Sequence, residues 1–338
     1  MHLIVDQIGS FISKHQGRLR VEKGKERLAE VPLLHLEQVI ICSNGVALSS
    51  DVVRACCKEG IPIHFLNGRD GDDYGTLVHS GLTGMALTKR AQLRAYEEGR
   101  GLDLARAFAS GKVHSQANLL RYIAKYRKEA DPDLYAALTT AATEVLDSLP
   151  ALARVAGELG EATRAALMGA EGRAAARYWQ AIAGVLPAEL GWPGRETQGA
   201  GDCFNQALNY GYAVLRSQVR QSLLLAGLDP MAGFLHADRP GKPSLTLDLI
   251  EEFRQAVVDR TLIGQVNRGV DLVQQEDGLL DAATRKRIVE KILERMESTE
   301  PYLGKRQPLR HILQLQARQI ATYVRGEHEV YTPFVMGW

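Results

Sequence analysis

The sequence predicts an α+β protein in two parts: a small, mostly β N-terminal domain over residues 1–84, then a larger all-α domain over residues 85–338. Three observations carry this. The chain has 338 residues, more than the roughly 250–300 that one hydrophobic core ordinarily serves. Up to about residue 80, apolar residues fall in short, often alternating runs rich in β-branched side chains. From residue 85, Ala, Leu, Arg, Glu and Gln dominate, and apolar spacing follows the helical period to about residue 326.

The strands are expected at 3–6, 10–15, 18–22, 26–33 and 37–42, separated by Gly, Lys and Gln turns. One helix interrupts them: Ser49, Ser50 and Asp51 offer caps, and Gly60 ends it. Strands return at 61–67 and 75–80, joined by the turn GRDGDDY. The segment SGLTGM, 80–85, reads as a linker. Helices then follow at roughly 88–110, 113–128, 132–147, 150–158, 161–184, 203–226, 244–258, 260–266, 282–296 and 307–326. The closing residues VYTPFVMGW form a tail whose aromatics are expected to dock on the body.

Composition narrows the chemistry. Net charge is +1, so partners must be read from local charge. Cys42, Cys56, Cys57 and Cys203 make no CxxC or other metal-like spacing, which fits a reducing cytoplasm. No apolar run reaches the roughly 18 residues of a membrane span. The opening MHLIVDQIGS lacks a secretory lead-in. HExxH, P-loop and GxGxxG motifs are absent, which removes the usual support for zincin, NTPase and dinucleotide-binding readings.

Four helical segments carry candidate chemistry. On 244–258, Asp248, Glu251 and Glu252 share one face opposite Leu249, Ile250, Phe253 and Val257. Like charges at this spacing repel by a few tenths of a kcal/mol per pair, and a cation would remove that penalty. The face reads either as solvated surface or as half of a metal site. His236 precedes it, with Arg239 and Lys242 in the loop between; acids for a divalent cation beside bases for phosphate oxygens suit metal-assisted phosphoryl chemistry. Glu171 and Tyr178, seven residues apart, share a face with Ala174 and Ala175 between them, so a second backbone or a ligand can approach closely. Alternatively they are a surface acid and a core tyrosine. On 203–226, capped by Asp202, Asn205, Asn209, Tyr212, Arg216 and Arg220 form a stripe beside the apolar face, suited to phosphate contacts or support of a site, or simply solvated. On 305–325, Arg306, Arg310, His311, Arg318 and Arg325 make a basic stripe, an electrostatic footprint for nucleic acid or a plain basic surface.

The order of these pieces resembles the CRISPR-associated spacer-acquisition integrases. Gly169-Ala170-Glu171-Gly172 with Tyr178 is similar to that family's first acidic motif. Asp202, Asn205, Leu208, Tyr210 and Tyr212 resemble its Asn/Tyr helix. Leu235-His236, Pro240-Gly241, Ser244-Leu245, Asp248-Leu249 and Glu251-Glu252-Phe253-Arg254 resemble its His-to-acid signature. The likeness covers nearly the whole chain; Cys203-Phe204 stands where many relatives have a proline.

The resemblance implies a DNA endonuclease/integrase that joins 3′-hydroxyl ends of captured DNA to a CRISPR repeat by transesterification. It implies Glu171, His236 and Glu251 as ligands of Mg²⁺ or Mn²⁺, with Asp248 a nearby acid that supports a ligand or faces DNA. Tyr178, Asn209 and Tyr212 would support the site, and Arg239 and Lys242 would hold DNA phosphates. Asn209, Tyr212, Arg216, Arg220, Arg310 and Arg318 complete the expected DNA-contacting set. The implied partners are double-stranded DNA, a second copy paired through the β domain, and a small ferredoxin-like adaptation protein. An iron–sulfur end-processing nuclease, fused or separate, belongs to the same implied set. A general metal-dependent DNase and a catalytically silent DNA-binding subunit are the rival readings.

Overall fold

The protein is described here by a computed structural model that covers residues 1–67, 73–79, 86–197 and 199–337. The expected linker at 80–85, and residues 68–72 of the expected turn, lie outside the described residues.

The N-terminal part holds two four-stranded sheets. One joins β1 (His2–Val5), β5 (Gln38–Ile41), β7 (Ile63–Leu66) and β8 (Asp73–Leu77) in that order. Here β1 and β5 run parallel, with Leu3 against Val39 and Ile4 against Ile40; β7 is parallel to β5, and β8 is antiparallel to β7. β5 is buried along its whole length, which is why its Val39, Ile40 and Ile41 are a continuous apolar run and not an alternating one. The other sheet joins β4 (Glu26–Pro32), β3 (Arg18–Lys23), β2 (Phe11–His15) and β6 (Ala47–Leu48). Helix α1 (Ser50–Glu59) starts where Ser49 Oγ accepts the Val52 N–H, and stops at Gly60 in the left-handed region, φ 69°.

The β part has its own core, including Leu3, Ile12, Leu19, Val39 and Ile63. Yet Ile40, Cys42 and Leu66 belong to the core of the helical part, and Gln218 Nε2 donates to Gln38 Oε1 at 2.8 Å. One face of the first sheet therefore packs on the helices.

The helical part comprises α2 (Ala86–Glu97), α3 (Gly99–Lys125), α4 (Pro132–Leu146), α5 (Leu149–Arg154), α6 (Glu161–Ala183), α7 (Cys203–Leu225), α8 (Ser244–Ile250), α9 (Arg260–Val266), α10 (Ala282–Glu297) and α11 (Leu309–Val324). Three corrections to the sequence reading arise here. First, the expected break at 111–112 is absent and falls instead at Glu98, inside the expected 88–110 helix, so that α3 is one helix of 27 residues. Gly111 lies at its centre because a Cβ there would meet Pro333 Cβ at 2.9 Å; that glycine serves close approach of the tail. Second, α8 does not run to 258. A turn at 251–253 and a π-helical segment, Gln255–Asp259, separate it from α9, and such π segments recur at functional sites. Third, the part is not all-α. β9 (Thr299–Tyr302) and β10 (Lys305–Pro308) form a hairpin whose two turn residues, Leu303 and Gly304, both have positive φ. The tail does dock: Tyr331, Phe334 and Met336 are buried, Phe334 stacks on Phe253 with centroids 4.8 Å apart, and Asn118 Nδ2 donates to Met336 O. No helix among the described residues is long and apolar enough to cross a membrane.

Candidate functional site

Two of the expected ligands converge on a cation supplied by the chain itself. Glu171 on α6 and Glu251 in the turn after α8 both form ion pairs with Lys112 Nζ on α3; the Glu251 Oε2 contact is 2.7 Å. Buried Ala170 and Ala174 keep the α6 face flat beside Glu171, so α3 packs close. Lys112 was not anticipated from the sequence. Its signal was an ionisable residue on an apolar helical face, in line with Leu104, Phe108, Gln116 and Leu119, all buried. Arg254 completes the cluster, with Nη2 3.0 Å from Glu251 Oε1. Burial alone would raise the Glu251 carboxyl, but Arg254, Lys112 and His236 together hold it at about 2.

His236 is positioned by Asp248. The Asp248 Oδ1 accepts from His236 N and from the ring Nδ1, both at 2.8 Å, while Oδ2 accepts the N–H groups of Phe234 and Leu235 at 2.6 and 3.0 Å. A carboxylate on Nδ1 fixes the proton there and leaves the Nε2 lone pair for a ligand. The loop can wrap Asp248 only because residue 233 is glycine: a Cβ there would meet Ser244 Cβ at 2.6 Å. Arg164 Nε pins the loop from α6 by donating to Phe234 O at 2.8 Å. Asp248 is fully buried, so it does not face DNA.

The three acids do not form one face. Glu252 turns away from Glu251 to the tail, accepting from Tyr331 Oη at 2.7 Å and from Phe334 N at 2.8 Å. Burial, against those two hydrogen bonds, pushes its carboxyl up to about 8. The α8 repulsion anticipated from spacing is thus removed by three separate sets of partners.

Two carboxylates and an imidazole make a donor set that fits Mg²⁺ or Mn²⁺, and the ammonium between the carboxylates marks a cation position. The ligand atoms of Glu171, His236 and Glu251 do not, however, all lie within 4.8 Å of one another. Among the described residues the trio that does is His2, Glu37 and Glu297. Arg310 occupies that second cluster, pairing with Glu297 at 2.8 Å and Glu37 at 3.5 Å. It links the β part to α10.

Tyr178 and Tyr212 are buried, and both hydroxyls donate to Asp259 in the π-helical segment. Burial raises the Asp259 carboxyl to about 6. Asp259 was missed; its signal was an acid inside the apolar run AVVDRTLI. Tyr212, expected both to support the site and to contact DNA, is buried against Arg254, whose guanidinium lies 4.8 Å from its ring centroid. Asn209 is also engaged, accepting from Arg195 Nη2 at 2.6 Å and donating to Thr197 O. These bonds tie Asn209 to the 194–197 segment.

A cleft of about 620 Å³ opens beside the cluster, lined by Lys112, Gln116, Trp179, Arg195, Arg254 and Gln255 among others. Of the remaining bases, Arg239 and Arg318 are exposed, Lys242 is half-buried, and Arg216 and Arg220 lie half-buried on α7. Arg220 is near enough to His64 on β7 to help lower its pKa, chiefly depressed by burial.

A family model described as CRISPR associated protein Cas1 matches residues 3–294. The chain belongs to the Cas1 family. Its curated relatives include the CRISPR-associated endonuclease Cas1 1 of Archaeoglobus fulgidus, 35% identical over 100% of both chains. The CRISPR-associated endonuclease Cas1 1 of Francisella tularensis subsp. novicida is 31% identical over 100% of this chain and 99% of the relative. Among solved structures, a casposase bound to integration product superposes with TM-score 0.82, at 24% identity over 98% of this chain and 92% of the other. A Cas1 protein from Thermotoga maritima gives 0.76 at 20% identity, covering 98% of each. A Cas6-RT-Cas1–Cas2 complex gives 0.74 at 21%, over 99% of this chain and 36% of that one. At these identities the structures establish the fold: a strand-rich region followed by a mostly helical part is the Cas1 architecture.

Proposed function

We propose that this Cas1 protein is a metal-dependent DNA integrase of CRISPR adaptation, joining 3′-hydroxyl ends of captured DNA to the edge of a repeat. The observation that carries the reading is the meeting of Glu171 and Glu251 on one cation position beside a basic, aromatic-lined cleft. Glu171, Glu251 and His236 Nε2 would hold Mg²⁺ or Mn²⁺, which supplies Lewis-acid stabilisation of charge at the attacked phosphorus. In the reaction a new P–O bond forms from the incoming 3′-oxygen as the repeat's P–O3′ bond breaks. The attacking hydroxyl gives up its proton and the departing 3′-oxygen gains one. One phosphodiester replaces another, so nucleotide hydrolysis is not required.

The chain's own residues set the stage. Asp248 holds the His236 ring in one tautomer. Arg254, ion-paired to Glu251 and stacked on Tyr212, presents positive charge to the phosphate. Arg239, Lys242, Arg216, Arg220 and Arg318 hold the DNA backbone. The β part pairs with a second copy, and two such dimers flank a dimer of a small ferredoxin-like partner of the Cas2 kind, with an iron–sulfur end-processing nuclease as an accessory. The setting is the cytoplasm.

The test is a strand-joining assay on branched and supercoiled DNA with Mn²⁺ or Mg²⁺, with and without the small partner. Joined product that disappears in Glu171→Ala supports the reading. Hydrolysed product without joining points to a DNase, and no metal-dependent product to a silent subunit.

A further inference from the structure

Lys112 sits on the buried face of α3, one turn before Gln116, with Nζ between the Glu171 and Glu251 carboxylates. A divalent ion ligated by those same two oxygens, at roughly 2.0–2.1 Å for Mg²⁺, would fall in the volume that Nζ fills. Ammonium and ion therefore exclude one another in space. They also exclude one another in charge. Glu171 and Glu251 are balanced by Lys112 and Arg254, and a dication added with both bases in place would leave a large uncompensated charge in a buried site.

The surroundings provide a place for a displaced ammonium. Lys112 lines the 620 Å³ cleft, and so does Gln116. Gln116 is only 1% exposed, yet both its Oε1 and Nε2 lack a protein partner. Gln255, which lines the same cleft and is buried, has an Oε1 that lacks one too. Buried acceptors of this kind ordinarily have a partner, and a flexible lysine stem reaches a side chain four residues along its own helix.

Resting on the metal reading above, we infer that Lys112 is the counter-ion that holds Glu171 and Glu251 together before metal binds, that the divalent ion displaces it, and that the freed ammonium turns into the cleft towards Gln116 Oε1 and the phosphate of bound DNA. Metal uptake is then opposed by the chain's own lysine in the free protein. It is favoured once DNA supplies an anion for the displaced charge.

The experiment uses the full-length protein in EDTA and in a Mn²⁺ titration. In the wild type, acylation of Lys112 followed by peptide mass spectrometry should be slow in EDTA and several-fold faster at saturating Mn²⁺. Lys112→Met should have a lower Tm in EDTA and bind Mn²⁺ roughly tenfold more tightly, the scale on which a neighbour of a ligand shifts metal affinity. Lys112→Arg, which keeps the charge, should keep the weaker affinity. Equal acylation rates with and without Mn²⁺, or a Lys112→Met protein that binds Mn²⁺ no more tightly than wild type, overturn the exchange. Either result together with saturable binding that Glu171→Gln abolishes overturns the exchange alone. No saturable Mn²⁺ binding in either wild type or Lys112→Met overturns the metal reading with it.

Discussion

Asp248 Oδ1 lies 2.8 Å from both the backbone nitrogen and the ring Nδ1 of His236. With the two bonds to Oδ2, one buried carboxylate holds the backbone of residues 234–236 and aims the imidazole. Asp248→Asn replaces an acceptor with an NH₂ group that faces N–H donors. The expected cost is about 2–3 kcal/mol, from buried donors left unpaired. Mn²⁺ affinity should fall by roughly 10–100-fold, as when a group orienting a ligating histidine is removed. Urea unfolding in EDTA and a Mn²⁺ titration read these separately; a variant with wild-type affinity would show that Asp248 supports the loop alone.

Glu171→Ala, His236→Ala and Glu251→Ala should each abolish strand joining while leaving DNA binding largely intact, as read by gel shift. They should differ in stability without metal. Glu251→Ala strands Arg254 and leaves Lys112 with Glu171 alone, so it should cost about 3–5 kcal/mol, the scale of breaking a buried pair. Glu251 also predicts an acid limb. Its folded pKa, about 2, is below its ordinary value, so its contribution is complete above roughly pH 4.5 and is lost as pH falls towards 2. Chemical unfolding between pH 3 and 6 should show that limb in wild type and not in Glu251→Gln.

Glu252 predicts the opposite sign. Burial raises its folded pKa to about 8, so between roughly pH 4.5 and 8 the folded chain binds more protons than the unfolded one. Stability should fall as pH rises across that window. Glu252→Gln can donate to Tyr331 and accept from Phe334 N, so it should lack the fall and be the more stable protein at pH 8.5. Matching denaturation curves for the two at pH 5.5 and 8.5 would remove Glu252 as the latch of the tail.

How much of this was legible depended on where each partner lies in the chain. Helix spacing revealed the two-part layout, and the docking tail was legible from its aromatics. The motifs brought Glu171, His236, Asp248 and Glu251 to notice as a set. Periodicity then misled over the second half of 244–258, because it assigns a face to each acid without knowing what packs there. Glu252 meets a tail 79 residues later, and Asp248 meets a loop that precedes it. Lys112 and Asp259 were hidden for a related reason. A charge inside an apolar stripe reads as noise until the second charge, on a distant helix, is known. β9 and β10 escaped because four-residue strands with Glu, Pro, Lys and Arg carry no apolar alternation.

The two arginines of the α11 stripe should now separate in a DNA-binding assay. Arg318 is exposed, and Arg318→Ala should weaken binding to unrelated sequences alike and lower the slope of log K against log salt by about 1, the mark of one lost phosphate contact. Arg310 is committed to Glu37 and Glu297, so its charge is already partly neutralised by the protein. Arg310→Ala should leave the slope near the wild-type value and act instead on the junction between the β part and α10, read as faster hydrogen exchange in β5. A drop of similar size in the salt slope for both variants would mean that Arg310 leaves its acids when DNA binds.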